Sequence, residues 1–210
     1  MKLLLVRHGE ADYSIVAERH HLGMGFDMAK LSDRGIEQAK AVANSPLFKD
    51  AEIIISSPYT RAMETAAYIQ RVTGLDLLVE NDLHEWSPDL TYKRRRIYFN
   101  ILRKEMRDRN GIWDESCKYK WEEFHKMGER AFNCLKKYIG KYNKVIVVAH
   151  GYVFNQFIFN PVMQNCEIEE YELTMDSKPL GYIDPYPEEK WGLKSSFFIS
   201  QYSKKHMFYY

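Results

Sequence analysis

The chain has 210 residues, 45% hydrophobic and 14% aromatic, enough to bury the core of one domain, and a net charge of +1 speaks against a general polyanion binder. Three cysteines, Cys117, Cys134 and Cys166, lack CxxC spacing, which argues against a disulfide framework or thiolate metal site and for reduced thiols in a cytoplasmic protein. The opening MKLLLV is too short for a signal-peptide apolar region, and no apolar run approaches the roughly 20 residues that span a bilayer. In chain order, residues 3–6 predict a fully buried strand, a short apolar run that ends at Arg7, His8 and Gly9. Residues 31–43 predict a helix with Ser32 as N-cap and Ile36, Ala39 and Val42 on one face. EIIISSP, at 52–58, reads as a second buried strand with Pro58 past its end, followed by a helix starting near Tyr59 or Thr60. LDLLVE, at 75–80, is a third short strand. The stretch 86–118 breaks the rhythm with WSPD, KRRR and NGIWDES and reads as a helical insertion. WEEFHKMGERAFNCLKKYI, at 121–139, is an amphipathic helix, and KVIVVA, at 144–149, is another buried strand. VFNQFIF predicts a helix stopped by Pro161. EIEEYELTM alternates like a half-exposed strand, with SSFFISQYS a candidate partner for it.

Strands alternate with helices, so the expected fold is α/β: a three-layer α/β/α sandwich around a mostly parallel sheet. The expected domain organisation is one domain over 1–210 with a lid-like insertion at about 86–118. In such sheets ligands bind beyond the carboxyl ends of the strands. Two strands there deliver histidines: Arg7-His8-Gly9-Glu10 after the first, and His150-Gly151 after the run KVIVVA. Arg61 falls in the first turn of a helix, and Glu85 in LHEW just follows a short strand. Two arginines and two histidines around one point suit a doubly charged anion, and phosphate matches the planar guanidinium fork. Helix starts near Thr60 and Gly151 add backbone N–H donors. A neutral imidazole can attack phosphorus and carry a phosphoryl group, whereas a protonated one binds and stabilises. Surroundings that push the two imidazole pKa values apart would split these roles, and a nearby carboxylic acid would protonate the leaving alkoxide. The arginines supply the charge, so no metal or other cofactor is required.

LLLVRHGEAD, LSDRGIEQA, SSPYTRAMETA, LHEW and VIVVAHG, in this order, resemble the histidine phosphatase superfamily, the phosphoglycerate-mutase-like fold, over most of the chain. RHG alone is a weak motif; the five together are specific. The resemblance implies His8 as the phosphoryl-accepting nucleophile. It implies Arg7, Arg61 and a cationic His150 on the phosphate oxygens, and Glu85 as the proton donor. Ser57 matches the serine of the family's SSP element. Ser14 stands where the family often has asparagine and is a further phosphate-ligand candidate. The family's G-x-x-D-x-P-L-T loop is altered to GMGFDMAKLS, and its G-x-W-E-G element is replaced by WSPDLTYKRRR. Both departures fall on the substrate side of the site.

The expected activity is metal-independent hydrolysis of a small phosphate ester. The alternatives are a phosphoglycerate-type mutase, which would use the same residues, or a non-catalytic phosphate- or RNA-binding module. Trp86, Arg94 and Arg95 are candidate lid residues over the substrate. The run Lys93-Arg94-Arg95-Arg96, beside Tyr92, Tyr98 and Phe99, reads as a solvated helix face ahead of a nucleic-acid patch. His20-His21 is a loop pair rather than a metal site, and Glu10 reads as structural. The aromatic end MFYY is expected to pack on the core or a partner. Neither a nucleic acid nor a membrane is expected as a partner, and the oligomeric state is not readable.

Overall fold

Strand β1, Lys2–Arg7, sends Leu3 and Leu5 to one face of the sheet and Leu4 and Val6 to the other, all four fully buried. A strand apolar on both faces needs helices above and below it. The computed structural model describes residues 1–93, 99–160 and 162–181. In it β2 (Ile53–Ser56), β3 (Leu77–Val79), β4 (Lys144–Ala149) and β5 (Ile168–Glu172) complete a five-stranded sheet of order β3-β2-β4-β1-β5. The pairs β1–β4, β2–β4 and β2–β3 are parallel, and β5 adds antiparallel to β1 at the edge. This is the expected α/β fold with a mostly parallel sheet. The register pairs Arg7 with Ala149, so His8 and His150 leave adjacent strands at one level.

One face carries α2 (Asp33–Ala43) and α3 (Thr60–Thr73), whose Val42, Ala43, Ala62, Ala66 and Ile69 pack on Leu4, Val6, Ile54, Ile146 and Val148. The other face carries α4 (Phe99–Asp108), α5 (Phe124–Lys136) and the short α6 (Gly151–Phe154). There Met106, Phe124, Met127, Ala131, Phe132 and Leu135 cover Leu3, Leu5, Ile53, Ile55, Val145 and Val147. A short helix α1 (Ser14–Glu18) follows β1. The Ser32 hydroxyl caps α2 as expected, accepting from the Gly35 N–H at 3.0 Å. None of the described helices is long and apolar enough to cross a membrane.

Two predicted helices are shorter than their patterns. Residues 121–123 stay extended, because the Glu122 N–H donates to the Ser87 carbonyl at 2.9 Å and the Trp121 indole donates to Glu105 Oε2 at 3.1 Å. After Phe154 the chain turns, which stacks Phe157 on Phe132 with ring centroids 4.0 Å apart. Pairing for β5 comes from β1; its predicted partner at 195–203 lies outside the described residues, as do Arg94, Arg95, Arg96, Tyr98, Pro161 and the MFYY end.

Gly35 lets the chain after β1 settle on α2: a Cβ there would lie 2.1 Å from the Glu10 carbonyl oxygen. Overpacking against backbone costs about 1–3 kcal/mol. Gly35→Ala is expected to lower Tm accordingly in a thermal melt. An unchanged Tm would mean that this contact relaxes freely.

Candidate active site

His8 begins where β1 ends. Its backbone N–H donates to the Ala149 carbonyl at 3.1 Å, and its carbonyl accepts from Asn165 Nδ2 at 2.8 Å. The ring Nδ1–H donates to the Gly9 carbonyl at 2.7 Å. That contact assigns the proton to Nδ1 and puts the lone pair on Nε2, since the other ring nitrogen's partner sets the tautomer. Arg61, in the first turn of α3, donates from Nε to this Nε2 at 3.3 Å. Thr65, one turn further, accepts from the Gly9 N–H at 3.0 Å and donates to the Arg61 carbonyl at 2.8 Å. Helix α3 therefore fixes the histidine loop and the arginine together.

His150 follows β4 and lies beside His8, with ring centroids 5.1 Å apart. Ser57 lies 2.7 Å from His150 Nε2 through its Oγ and accepts the Tyr59 N–H at 3.3 Å. A Ser57 hydroxyl that donates to Nε2 leaves the imidazole proton of His150 on Nδ1. Among the described residues, His150 Nδ1 and Arg7 Nε are buried polar atoms without a hydrogen-bond partner. Buried donors are rarely left so, and two of them beside His8 suit an anion's oxygens. Arg7 is anchored at its other end by donation from Nη1 to the Met163 carbonyl.

Electrostatics follow from burial. His8 is 8% exposed and His150 fully buried. Burial, then the charges of Arg61 and Arg7, hold His8 well below the ordinary imidazole value. Burial, then Arg61, His8 and His84, do the same to His150. The two imidazoles are thus shifted in the same direction rather than apart. Both shifts favour neutral imidazoles in the free pocket, where two guanidiniums already supply positive charge.

Glu85 sits half-buried across the pocket, accepting from the Trp86 N–H at 2.9 Å and from the Tyr152 N–H of α6 at 3.3 Å. Removal from water raises its pKa, against the opposing pull of these N–H groups, Arg61 and Arg7. Arg130 holds the loop by donating to the Asp82 and Glu85 carbonyls. Arg130 is itself paired with both carboxylate oxygens of Glu122, at 2.7 and 3.0 Å. The neighbouring carboxylates have other work: Glu10 accepts from Ser32 and pairs with Arg34, and Glu80 accepts from Tyr138.

Arg7, His8, Arg61, Glu85 and His150 therefore meet in one buried cluster. Two other candidates do not join it. Trp86 is 2% exposed and packs among Phe99, Phe124 and Tyr152, with its indole N–H on the Glu122 carbonyl at 2.7 Å. It is a core residue rather than a lid, because a large ring beside an aromatic helix face gains more by burial than by reaching over solvent. Ser14 is exposed at the start of α1, and its N–H donates to Asp12 Oδ1 at 2.8 Å; its polar partner is Asp12 and not a pocket group. Asp27 was not anticipated. It lies on a 3₁₀ turn, Gly23–Met28, and pairs with Arg61 Nη1 at 3.3 Å. Only the altered GMGFDMAKLS loop hinted at it, and a single aspartate there has no periodic signal.

The sequence matches the model of the histidine phosphatase superfamily (branch 1) over residues 3–172. A provisionally named phosphoserine phosphatase 2 of Hydrogenobacter thermophilus is 24% identical over 205 residues, covering 87% of this chain and 95% of that protein. Among solved structures, a mycobacterial glucosyl-3-phosphoglycerate phosphatase aligns with a TM-score of 0.57 at 22% identity, covering 73% of this chain and 76% of its own. The alpha-ribazole phosphatase of Shigella flexneri aligns at 0.59 and 18% identity, covering 88% and 96%. At these identities the two structures share the fold. The family match, spanning most of the chain and every strand of the sheet, identifies the protein as a member of the histidine phosphatase superfamily.

Proposed function

We propose that the chain is a metal-independent phosphomonoesterase that hydrolyses a small phosphorylated metabolite through a phosphohistidine on His8. The observation that carries this reading is the pairing of a deprotonated His8 Nε2 with two buried, unpartnered donors, Arg7 Nε and His150 Nδ1. The relatives support the substrate class, since their names all describe phosphatases of small phosphomonoesters.

In the first step His8 Nε2 forms a bond to phosphorus as the ester P–O bond breaks. The Glu85 carboxyl gives its proton to the departing alkoxide. In the second step Glu85, now a carboxylate, takes a proton from water as the water oxygen attacks phosphorus and the N–P bond breaks. Inorganic phosphate leaves, and His8 is again neutral. Arg7, Arg61 and His150 hold the equatorial oxygens throughout. His150 enters as a neutral donor, and a bound dianion beside it favours its protonation. General acid catalysis contributes typically about 10²–10⁴, out of accelerations up to ~10²¹ for monoester hydrolysis. Positioning and charge stabilisation by the guanidiniums supply the rest.

The pH dependence follows by sign. His8 acts neutral, and its lowered pKa keeps it so into acid. Glu85 acts protonated, and its raised pKa keeps it so further towards neutrality than an ordinary carboxyl. Activity is expected to peak between the two, on the acidic to neutral side, and to fall as pH rises through the Glu85 pKa.

The test is a rapid quench with a phosphorus-labelled ester in excess EDTA. Label on His8, stable in base and lost in acid, with undiminished turnover, is the expected result. Activity that disappears with EDTA and returns with a divalent metal would overturn the reading.

A further inference from the structure

The tautomer of His8 depends on the Gly9 carbonyl, which accepts from Nδ1–H at 2.7 Å. That acceptor belongs to a glycine, whose backbone torsions no side chain restrains, so hydrogen bonds from elsewhere set the peptide planes around it. The Gly9 N–H donates to Thr65 of α3 at 3.0 Å, and the Glu10 N–H donates to Gln38 of α2 at 2.8 Å. Both of these partners come from the helices on one face of the sheet. Asn165 comes from the segment before β5, and its Nδ2 donates to the His8 carbonyl at 2.8 Å. In a trans peptide the C=O and the N–H point opposite ways. Asn165 and Thr65 therefore grip the His8–Gly9 unit from its two edges.

Asn165 sits in a turn just ahead of β5. The Glu167 N–H reaches back to the Gln164 carbonyl at 3.1 Å, and Cys166 takes a left-handed φ of 58°. Cys166 and Glu167 together face the single residue Arg7. The Cys166 N–H donates to the Arg7 carbonyl at 2.9 Å, and the Arg7 N–H donates to the Glu167 carbonyl at 3.2 Å. Two residues against one make a β-bulge, a device that re-aims a side chain. A non-glycine residue in the left-handed region is strained, and such strain persists where the surroundings enforce it. The turn closes through its backbone and through the Gln164 N–H on the Glu167 carboxylate. It makes no use of the Asn165 amide, which reaches across to His8 instead. The same segment anchors Arg7, whose Nη1 donates to the Met163 carbonyl.

We propose that Asn165 is a positioning residue for the nucleophile: it holds the His8–Gly9 peptide in the plane that keeps the Gly9 carbonyl on Nδ1 and aims Nε2 at phosphorus. The proposal rests on the phosphomonoesterase reading above. The Asn165 amide bonds to backbone, so its effect on the reaction passes through His8. Arg7 is held by backbone groups of the segment, which a change of the Asn165 side chain leaves in place. Loss of the amide therefore disturbs attack more than it disturbs phosphate binding.

Asn165→Ala and Asn165→Leu test it, the second keeping the side-chain bulk without a donor. Rapid quench with saturating, phosphorus-labelled p-nitrophenyl phosphate reports phosphoenzyme formation, and inhibition by inorganic phosphate reports the binding pocket. Labelling of His8 is expected to slow by about tenfold to 10²-fold in both variants, the larger loss being that of a misplacement of about 1 Å. The inhibition constant of phosphate is expected to stay within about twofold of the unmodified value. The ¹⁵N NMR signals of the His8 ring are expected to change from a single Nδ1–H tautomer to a mixture. Unchanged labelling in either folded variant would overturn the proposal. So would slower labelling with the tautomer unchanged, or a loss of phosphate affinity as large as the loss of rate, which marks damage to the whole pocket. Labelled His8 in the unmodified protein with unchanged rates in the variants removes only the role of Asn165. No turnover and no labelled His8 in the unmodified protein overturns the phosphomonoesterase reading, and the proposal with it.

Discussion

Replacing His8 with alanine is expected to reduce kcat on p-nitrophenyl phosphate by on the order of 10⁴-fold or more and to abolish the labelled phosphoenzyme. The expectation comes from what surrounds the ring. Its Nδ1–H is committed to the Gly9 carbonyl, Arg61 holds Nε2 in line, and the burial that depresses its pKa keeps Nε2 unprotonated. His150 does not stand in for it, since Ser57 engages His150 Nε2. The backbone of His8 keeps its bonds to Ala149 and Asn165 in the variant, so the fold should survive, and a thermal melt checks this. A folded His8→Ala protein that still turns over p-nitrophenyl phosphate at the original rate would remove His8 from the chemistry.

Glu85→Gln is expected to have the second largest effect, and an uneven one. On an alkyl phosphate, whose alkoxide needs a proton as it leaves, kcat should fall by about 10²–10⁴-fold. On p-nitrophenyl phosphate, whose leaving phenolate needs little help, the first step should be nearly unaffected. The alkaline limb of the pH profile should vanish with the carboxyl that causes it. The physical basis is the raised pKa: burial favours the protonated form and outweighs the pull of the Trp86 N–H, Arg61, the Tyr152 N–H and Arg7. Equal losses in the rate of phosphoenzyme formation on both esters would reduce Glu85 to a group that positions Tyr152 and Trp86. Arg130, which grips the Glu85 carbonyl while paired with Glu122, keeps the acid in place and does not touch the phosphate cluster.

The five strands and the long helices follow local patterns strong enough to survive folding. Leu3–Val6 and Val145–Ala149 are apolar on both faces, so only a covered sheet accommodates them. Ser32 before DRGIEQA marks a helix start that the structure retains. The structure brings Arg7, His8, Arg61, Glu85 and His150 together as the sequence pattern suggested: Arg7, His8 and His150 at or just past the carboxyl ends of β1 and β4, where a doubly wound sheet collects ligands, and Arg61 in the first turn of α3.

Other features had no local signature. The dipeptide between strand and loop does not reveal how far His150 departs from an ordinary imidazole; burial, then Arg61 and His8, lower its pKa. Trp86 read as a lid because it follows the acid in sequence, but α5 supplies an aromatic wall that draws it into the core. Asp27 belongs to an irregular turn, and its meaning arises only when α3 brings Arg61 against it from a distant part of the chain. Residue order and hydrophobic period alone determined the layers of this protein and the strand ends that carry its histidines and Arg7. Protonation, and the choice of which carboxylates face the cluster of His8, Arg61 and His150, came only with the tertiary structure, because both depend on distances and water exclusion between segments that the chain itself keeps far apart.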